Sequence, residues 1–162
     1  MVKNFFKISF LIIFLLIIIY IIYLHTFYNY NFYSSLIETQ IPIFAKMEEK
    51  DTHGGFHGDG ETLAKVYFSD EQAQKFMKNI SNCSHWNEFP IPETLQNCAY
   101  NSIDEEMKLP SINNGYWFFL DRNSKATDKY NYNEMFGRAS SNYSIAVFDI
   151  DSNILYIYSL DT

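Results

Sequence analysis

An α+β domain carried on an N-terminal transmembrane helix is the architecture this sequence predicts, and three observations predict it. Residues 8–24 form an apolar run uninterrupted by charge, Gly or Pro. Beyond that run, four separate segments have the composition or two-residue alternation of strands. Among them lie two signatures of helix starts, Ser69 with Gln72 and Ser102 with Glu105. These predict a small antiparallel sheet packed with two or three short helices.

Taken in chain order, the anchor comes first. Extended back to Phe5 the run reaches about 20 residues, or roughly 30 Å of helix, the depth of a bilayer core. A cleaved signal peptide has a shorter apolar run followed by small residues. Here Tyr23, Leu24, His25, Thr26, Phe27 and Tyr28 follow, and no cysteine lies nearby for lipid modification. Residues 1–28 therefore read as a cytoplasmic N-terminus and an uncleaved single-pass signal anchor. Lys3 and Lys7 precede the helix and no Lys or Arg follows until Lys46. The positive-inside rule then expects the remainder to be extracytoplasmic. The Tyr and Phe residues between positions 20 and 33 suit an aromatic belt at the outer interface.

Residues 29–50 read as a juxtamembrane connector, broken by Pro42 and ending in charges. Ile41, Ile43 and Phe44 are expected to pack on the domain or on the membrane surface. The domain itself is drawn over residues 51–162. Within it, 62–68 reads as a strand with Ala64, Val66 and Phe68 on one face. Ser69 and Gln72 open a helix through about Ile80, with Ala73, Phe76, Met77 and Ile80 along one stripe. A short helix follows Pro92, and Ser102 with Glu105 opens another that stops before Pro110. Strands are read at 116–121, 143–149 and 154–160, the last two joined as a hairpin through the polar turn 150–153. The polar stretch 122–142 is a long loop with a helical turn around 133–136.

Composition bounds the function. Among 162 residues the formal net charge is −7, and Lys3 and Lys7 are the only charged side chains before Glu38. The later part therefore carries about −9. An acidic domain has no electrostatic attraction for nucleic acid, which excludes that class of partner. The expected partners are the membrane, through the helix, and a protein or small molecule. Of the two cysteines, Cys83 and Cys98, either a disulfide or a pair of buried free thiols is expected. A bond between them closes a loop of about 15 residues, worth roughly 3 kcal/mol in the chain-entropy account.

The most unusual segment is 51–61. Four of the six glycines and two of the four histidines fall within it. The glycines Gly54, Gly55, Gly58 and Gly60 permit positive φ and close backbone approach. Asp51, His53, His57, Asp59 and Glu61 can then turn inward as a ligand-binding set. His53, His57 and Asp59 in particular offer donors for zinc or another divalent metal. The loop's amides suit an anion nest as a further reading. No lysine follows the last glycine and no strand leads into the loop, so neither nucleotide-loop fingerprint applies. A tight hydrogen-bonded lead-in to the first strand is the structural reading of the same residues. His85, beside Trp86, is an extra candidate ligand. Asp149-x-Asp151-x-Asn153 imitates the start of a calcium loop but has Ile154 and Leu160 where Gly and Glu belong, so it reads as a turn. No Gly-x-Ser-x-Gly elbow occurs. The expected function is a binding or interaction module at the cell envelope. The alternative is a metal-dependent envelope enzyme, hydrolase-like, with the loop holding the ion and a carboxylate as base.

The run DTHGGFHGDGE after an N-terminal anchor, then GYWFFLDR, then the closing FDIDSNILYIYSLDT, resembles a group of small uncharacterised membrane-anchored or lipoprotein-like envelope proteins of low-GC Gram-positive bacteria. The resemblance covers about residues 51–162. It implies a bacterial envelope setting and a single domain, and it carries no activity or site residues. This chain departs from the lipoprotein members in having no anchor cysteine.

Overall fold

The computed structural model, which describes residues 2–54, 58–100, 102 and 104–162, has the expected α+β architecture, a long N-terminal helix and an antiparallel sheet packed with short helices. Six strands line up as β1(Lys46–Asp51), β2(Gly60–Tyr67), β6(Ile154–Asp161), β5(Tyr143–Asp149), β4(Gly115–Asp121) and β3(Trp86–Glu88). Every neighbouring pair is antiparallel. Helix α2(Asp70–Ile80) joins β2 to β3 at the far edge, and α3(Glu93–Tyr100) follows β3.

Because side chains alternate along a strand, one sheet feeds two cores. On one face Ala64, Val66, Phe118, Ala146, Phe148, Leu155 and Ile157 meet Ala73, Phe76 and Ile80 of α2. On the other, Leu63, Phe119, Ile145, Val147 and Tyr158 meet Ile91, Leu95, Met107, Leu109 and Met135. Helix α2 has both halves of its capping box, the Ser69 hydroxyl accepting from the Gln72 amide and the Gln72 side chain accepting from the Ser69 amide. Its stripe seats Phe76 5.3 Å from the Phe148 ring and 5.8 Å from Trp86.

Helix α1(Val2–Leu36) is longer than the anchor drawn from sequence. Its stretch Lys7–Leu36 is long and apolar enough to cross a membrane, and every large apolar side chain from Ile8 to Leu24 is exposed. The helix continues without a break into the domain, where Tyr33 is buried in the first core together with Ile37, Ile41 and Ala45. Tyr33 Oη donates to Glu49 Oε2 at 2.8 Å and Tyr30 Oη to the Ala45 carbonyl at 2.6 Å. Residues 29–50 are thus more than a connector, for they supply core side chains and all of the edge strand β1 but its last residue, Asp51. Its sequence KMEEKD lacks alternation because an edge strand facing water needs charge more than apolar residues. Of the three connector side chains, Ile41 is buried whereas Ile43 and Phe44 are exposed. Phe44 is 78% exposed, adopts φ 67°, and sits 6.1 Å from the Phe27 ring of α1.

Two local expectations need correction. The helix expected at Ser102 is a short 3-10 turn, Glu105–Met107, capped by Asp104. The Ser102 hydroxyl donates to Glu61 Oε2 and accepts from the Asp104 amide at 3.2 Å, two residues on, so the cap of the turn falls to Asp104. The disulfide does not form: Cys83 and Cys98 are both free, one packed against the first core and the other against the second. The sheet lies between them. The β5–β6 hairpin forms as expected, with Asp149 accepting from the Asp151 amide at 3.0 Å and Asn153 at φ 56°. The turn in the long loop is a 3-10 turn, Tyr132–Met135.

Candidate functional site

The glycine-rich loop connects β1 to β2, and its stem is closed by paired bonds between Thr52 and Glu61. The Thr52 amide donates to the Glu61 carbonyl and the Glu61 amide to Thr52 Oγ1, each at 2.9 Å. Gly60 is required there. A Cβ on it would stand 2.5 Å from His53 Cα and 2.8 Å from the start of the imidazole ring. Gly58 adopts φ 70°, the left-handed region that suits glycine.

His53 is held from three sides. Its amide donates to Asp51 Oδ1 at 2.9 Å, its Nδ1 lies 2.5 Å from the same oxygen, and its Nε2 lies 3.2 Å from Asp161 Oδ2. Asp161 in turn receives Arg122 as a fork, with contacts of 2.9 and 3.1 Å. Arg122 also donates to the carbonyls of Tyr143 and Leu160. The result is an alternating line of charge, Asp51–His53–Asp161–Arg122, along one end of the sheet. The hydrogen bond to Asp51 raises the His53 pKa above its usual value despite some burial, and the Asp161 carboxylate adds to the effect. Asp51 is lowered, first by the His53 amide and then by the imidazole.

That geometry decides what His53 can do. With both ring nitrogens directed at carboxylates, the imidazole is set up as a double donor, and a metal ligand needs a lone pair. Asp59 is exposed, and Glu61 is turned to Ser102. Gly55 and His57 lie outside the described residues. Among the described residues, His53, Asp59 and Glu61 do not bring ligand atoms together at one point. Gly54 only closes the loop, its amide 3.4 Å from the Asp59 carbonyl. His85 does not join this loop either. It precedes β3, four strand spacings from β2, or about 19 Å. There it stacks on Tyr130, with ring centroids 3.5 Å apart, and its Nδ1 lies 2.8 Å from Glu38 Oε2.

Beside β3, on the face opposite the end of α1, a groove of about 560 Å³ opens in the second core. Phe89, Ile91, Tyr100, Leu109 and Ile112 contribute apolar surface to its lining. Gln96, Asn97, Ser111 and Asn113 supply amides and a hydroxyl, and among the described residues no charged side chain lines it. The α3 helix sets the spacing: Leu95 is buried beneath the groove while Gln96 fixes the Ile91 carbonyl with a 2.9 Å bond. Sequence reading passed over this site because its residues come from three separate stretches with no shared motif. Compared with family models, curated proteins and solved structures, the chain matches none.

Proposed function

We propose that this chain is a single-pass membrane protein whose domain stands outside the cell and works as a binding module at the envelope. The observation that carries the binding reading is the uncharged groove between β3, α3 and the 109–113 segment. A concave cleft that combines apolar side chains with several convergent amides and a hydroxyl has the make-up of a recognition site. The lack of charge in its lining, on a chain of net charge −7, selects an uncharged occupant such as a neutral stretch of polypeptide.

The membrane reading rests on the exposed apolar length of α1 and on its flanking charge. Exposed Ile43, and exposed Phe44 against the Phe27 ring, suit the acyl–headgroup boundary at the foot of the domain. A photo-crosslinking residue at Asn113, in the full chain in its own membrane, tests the function. A discrete adduct is expected, suppressed by Ser111→Arg, which places a long charged side chain in the groove. An Asn113 signal no stronger than one at exposed Lys125, or one indifferent to Ser111→Arg, overturns the reading.

A further inference from the structure

We propose that Glu38, Cys83 and His85 form a three-ligand site for a zinc-class divalent cation. One carboxylate oxygen, the thiol sulfur and one imidazole nitrogen all lie within 4.8 Å of one another. They come from different parts of the chain. Glu38 lies in the turn leaving α1, whereas Cys83 and His85 lie in the short connection from α2 to β3.

The backbone beneath them is fixed. Trp86 Nε1 donates to the Ile37 carbonyl at 3.1 Å in the buried core, which registers the residue before Glu38 against the residue after His85. The Cys83 amide donates to the Ile80 carbonyl at 2.9 Å, and the Trp86 amide to the Cys83 carbonyl at 3.2 Å. The tight turn between those bonds presents both side chains. Outer partners orient the donors as well: Tyr130 Oη donates to Glu38 Oε1 at 2.6 Å, leaving Oε2 toward His85, and the Tyr130 ring stacks on the imidazole. Metal sites depend on such support for their ligands.

Glu38 itself is unexpected on local grounds. The Thr39 amide reaches back to the Ser34 carbonyl at 3.1 Å, the six-to-one bond that ends a helix, and Glu38 occupies the left-handed position at φ 55°. Glycine is the ordinary residue there, and a side chain costs roughly 1–2 kcal/mol. The strained glutamate is accounted for by what its carboxylate reaches.

Donor chemistry selects the ion. Thiolate and imidazole favour zinc over calcium or magnesium, which take oxygen ligands. Zinc bonds of about 2.0–2.3 Å in a tetrahedron set the donors about 3.3–3.7 Å apart. Side-chain rotations of about 1 Å therefore close the site, and the 2.8 Å Nδ1–Oε2 contact opens slightly as a hydrogen bond is exchanged for two metal bonds. Coordination releases the thiol proton to solvent, so one thiolate and one carboxylate balance the dication. Three protein ligands leave a fourth position for water or for a donor from a partner.

The test uses the full chain, reduced, in detergent micelles, with cobalt(II) as spectroscopic probe and zinc as competitor. One cobalt per chain is expected, with a thiolate charge-transfer band in the near ultraviolet and the visible bands of a tetrahedral ion. One equivalent of zinc displaces it. Cys83→Ser loses the near-ultraviolet band, while Cys98→Ser and His53→Ala keep it. Glu38→Gly, which suits the left-handed backbone and so remains folded, weakens binding at least tenfold, and Tyr130→Phe weakens it about tenfold. Absence of the band in the folded wild type overturns the proposal. So does a band that follows Cys98 or His53 instead of Cys83, or affinity unchanged in Glu38→Gly.

Discussion

Replacing Arg138 with methionine isolates the most deeply placed charge in the domain. Asp121 ends β4 with its side chain 0% exposed, and it pairs with Arg138, whose side chain is 18% exposed. The Asn123 amide, at 3.0 Å, is a further donor to the carboxylate. Arg138→Met leaves a buried carboxylate without its counter-charge, and breaking a buried pair from one side costs about 3–5 kcal/mol. Asp121→Asn keeps the acceptor for the Asn123 amide and leaves the guanidinium, which already reaches water, to rehydrate. Its cost is smaller, about 1–3 kcal/mol. The two arms are therefore unequal, and the double variant recovers part of the sum. Urea unfolding of the full chain in detergent, followed through Trp86 and Trp117, reads the difference. With a slope near 2 kcal/mol per molar, Arg138→Met moves the midpoint down by about 1.5–2.5 M. A loss below about 1 kcal/mol, or Asp121→Asn costing more than Arg138→Met, refutes the reasoning.

The remaining expectations use the same unfolding assay. Phe76→Ala, fully buried among Phe68, Trp86 and Phe148, is expected to cost about 3–5 kcal/mol. Gly115→Ala puts a Cβ 2.0 Å from the Phe148 carbonyl oxygen, so the β4–β5 pair must shift, with an expected loss of about 1–3 kcal/mol. For His53, whose folded pKa is raised above 6.5, the stabilisation is fully present below that value. It is lost as pH rises from about 6.5 through the folded pKa, so the urea midpoint falls over that window, and His53→Asn removes that part of the slope. Gly60→Ala pushes His53 off Asp51, and its imidazole, followed by NMR, then titrates closer to 6.5.

What the sequence made readable follows from where the determining contacts lie. Helix α2 is marked by contacts three or four residues apart, and its cap at Ser69 and its end at Ile80 fall where expected. Strand β1 has no such mark, because its partner β2 defines it and its side chains face water. At 105–107 a 3-10 turn stands in place of a helix, capped by Asp104, while Ser102 ties the segment to Glu61, 41 positions away, a contact no local pattern shows. In the glycine loop the crowding of glycine was visible, but the pairing of His53 with Asp161, 108 positions away, was not. Glu38 and His85, 47 positions apart, meet only because α1 and the α2–β3 connection share a core.

Helix α1 enters the core without a hinge, and this changes how the domain meets anything else. At about 1.5 Å per residue its 35 residues span roughly 52 Å, while a bilayer interior takes up about 30 Å. A chain held this way has no flexible tether with which to sweep a volume. On the proposed membrane reading, the groove is held at one altitude above the lipid plane and samples its surroundings by lateral drift and by spinning about the helix axis. On the same reading, an occupant anchored in that membrane at a matching height would meet the groove repeatedly, while one farther out would have to bring its own reach.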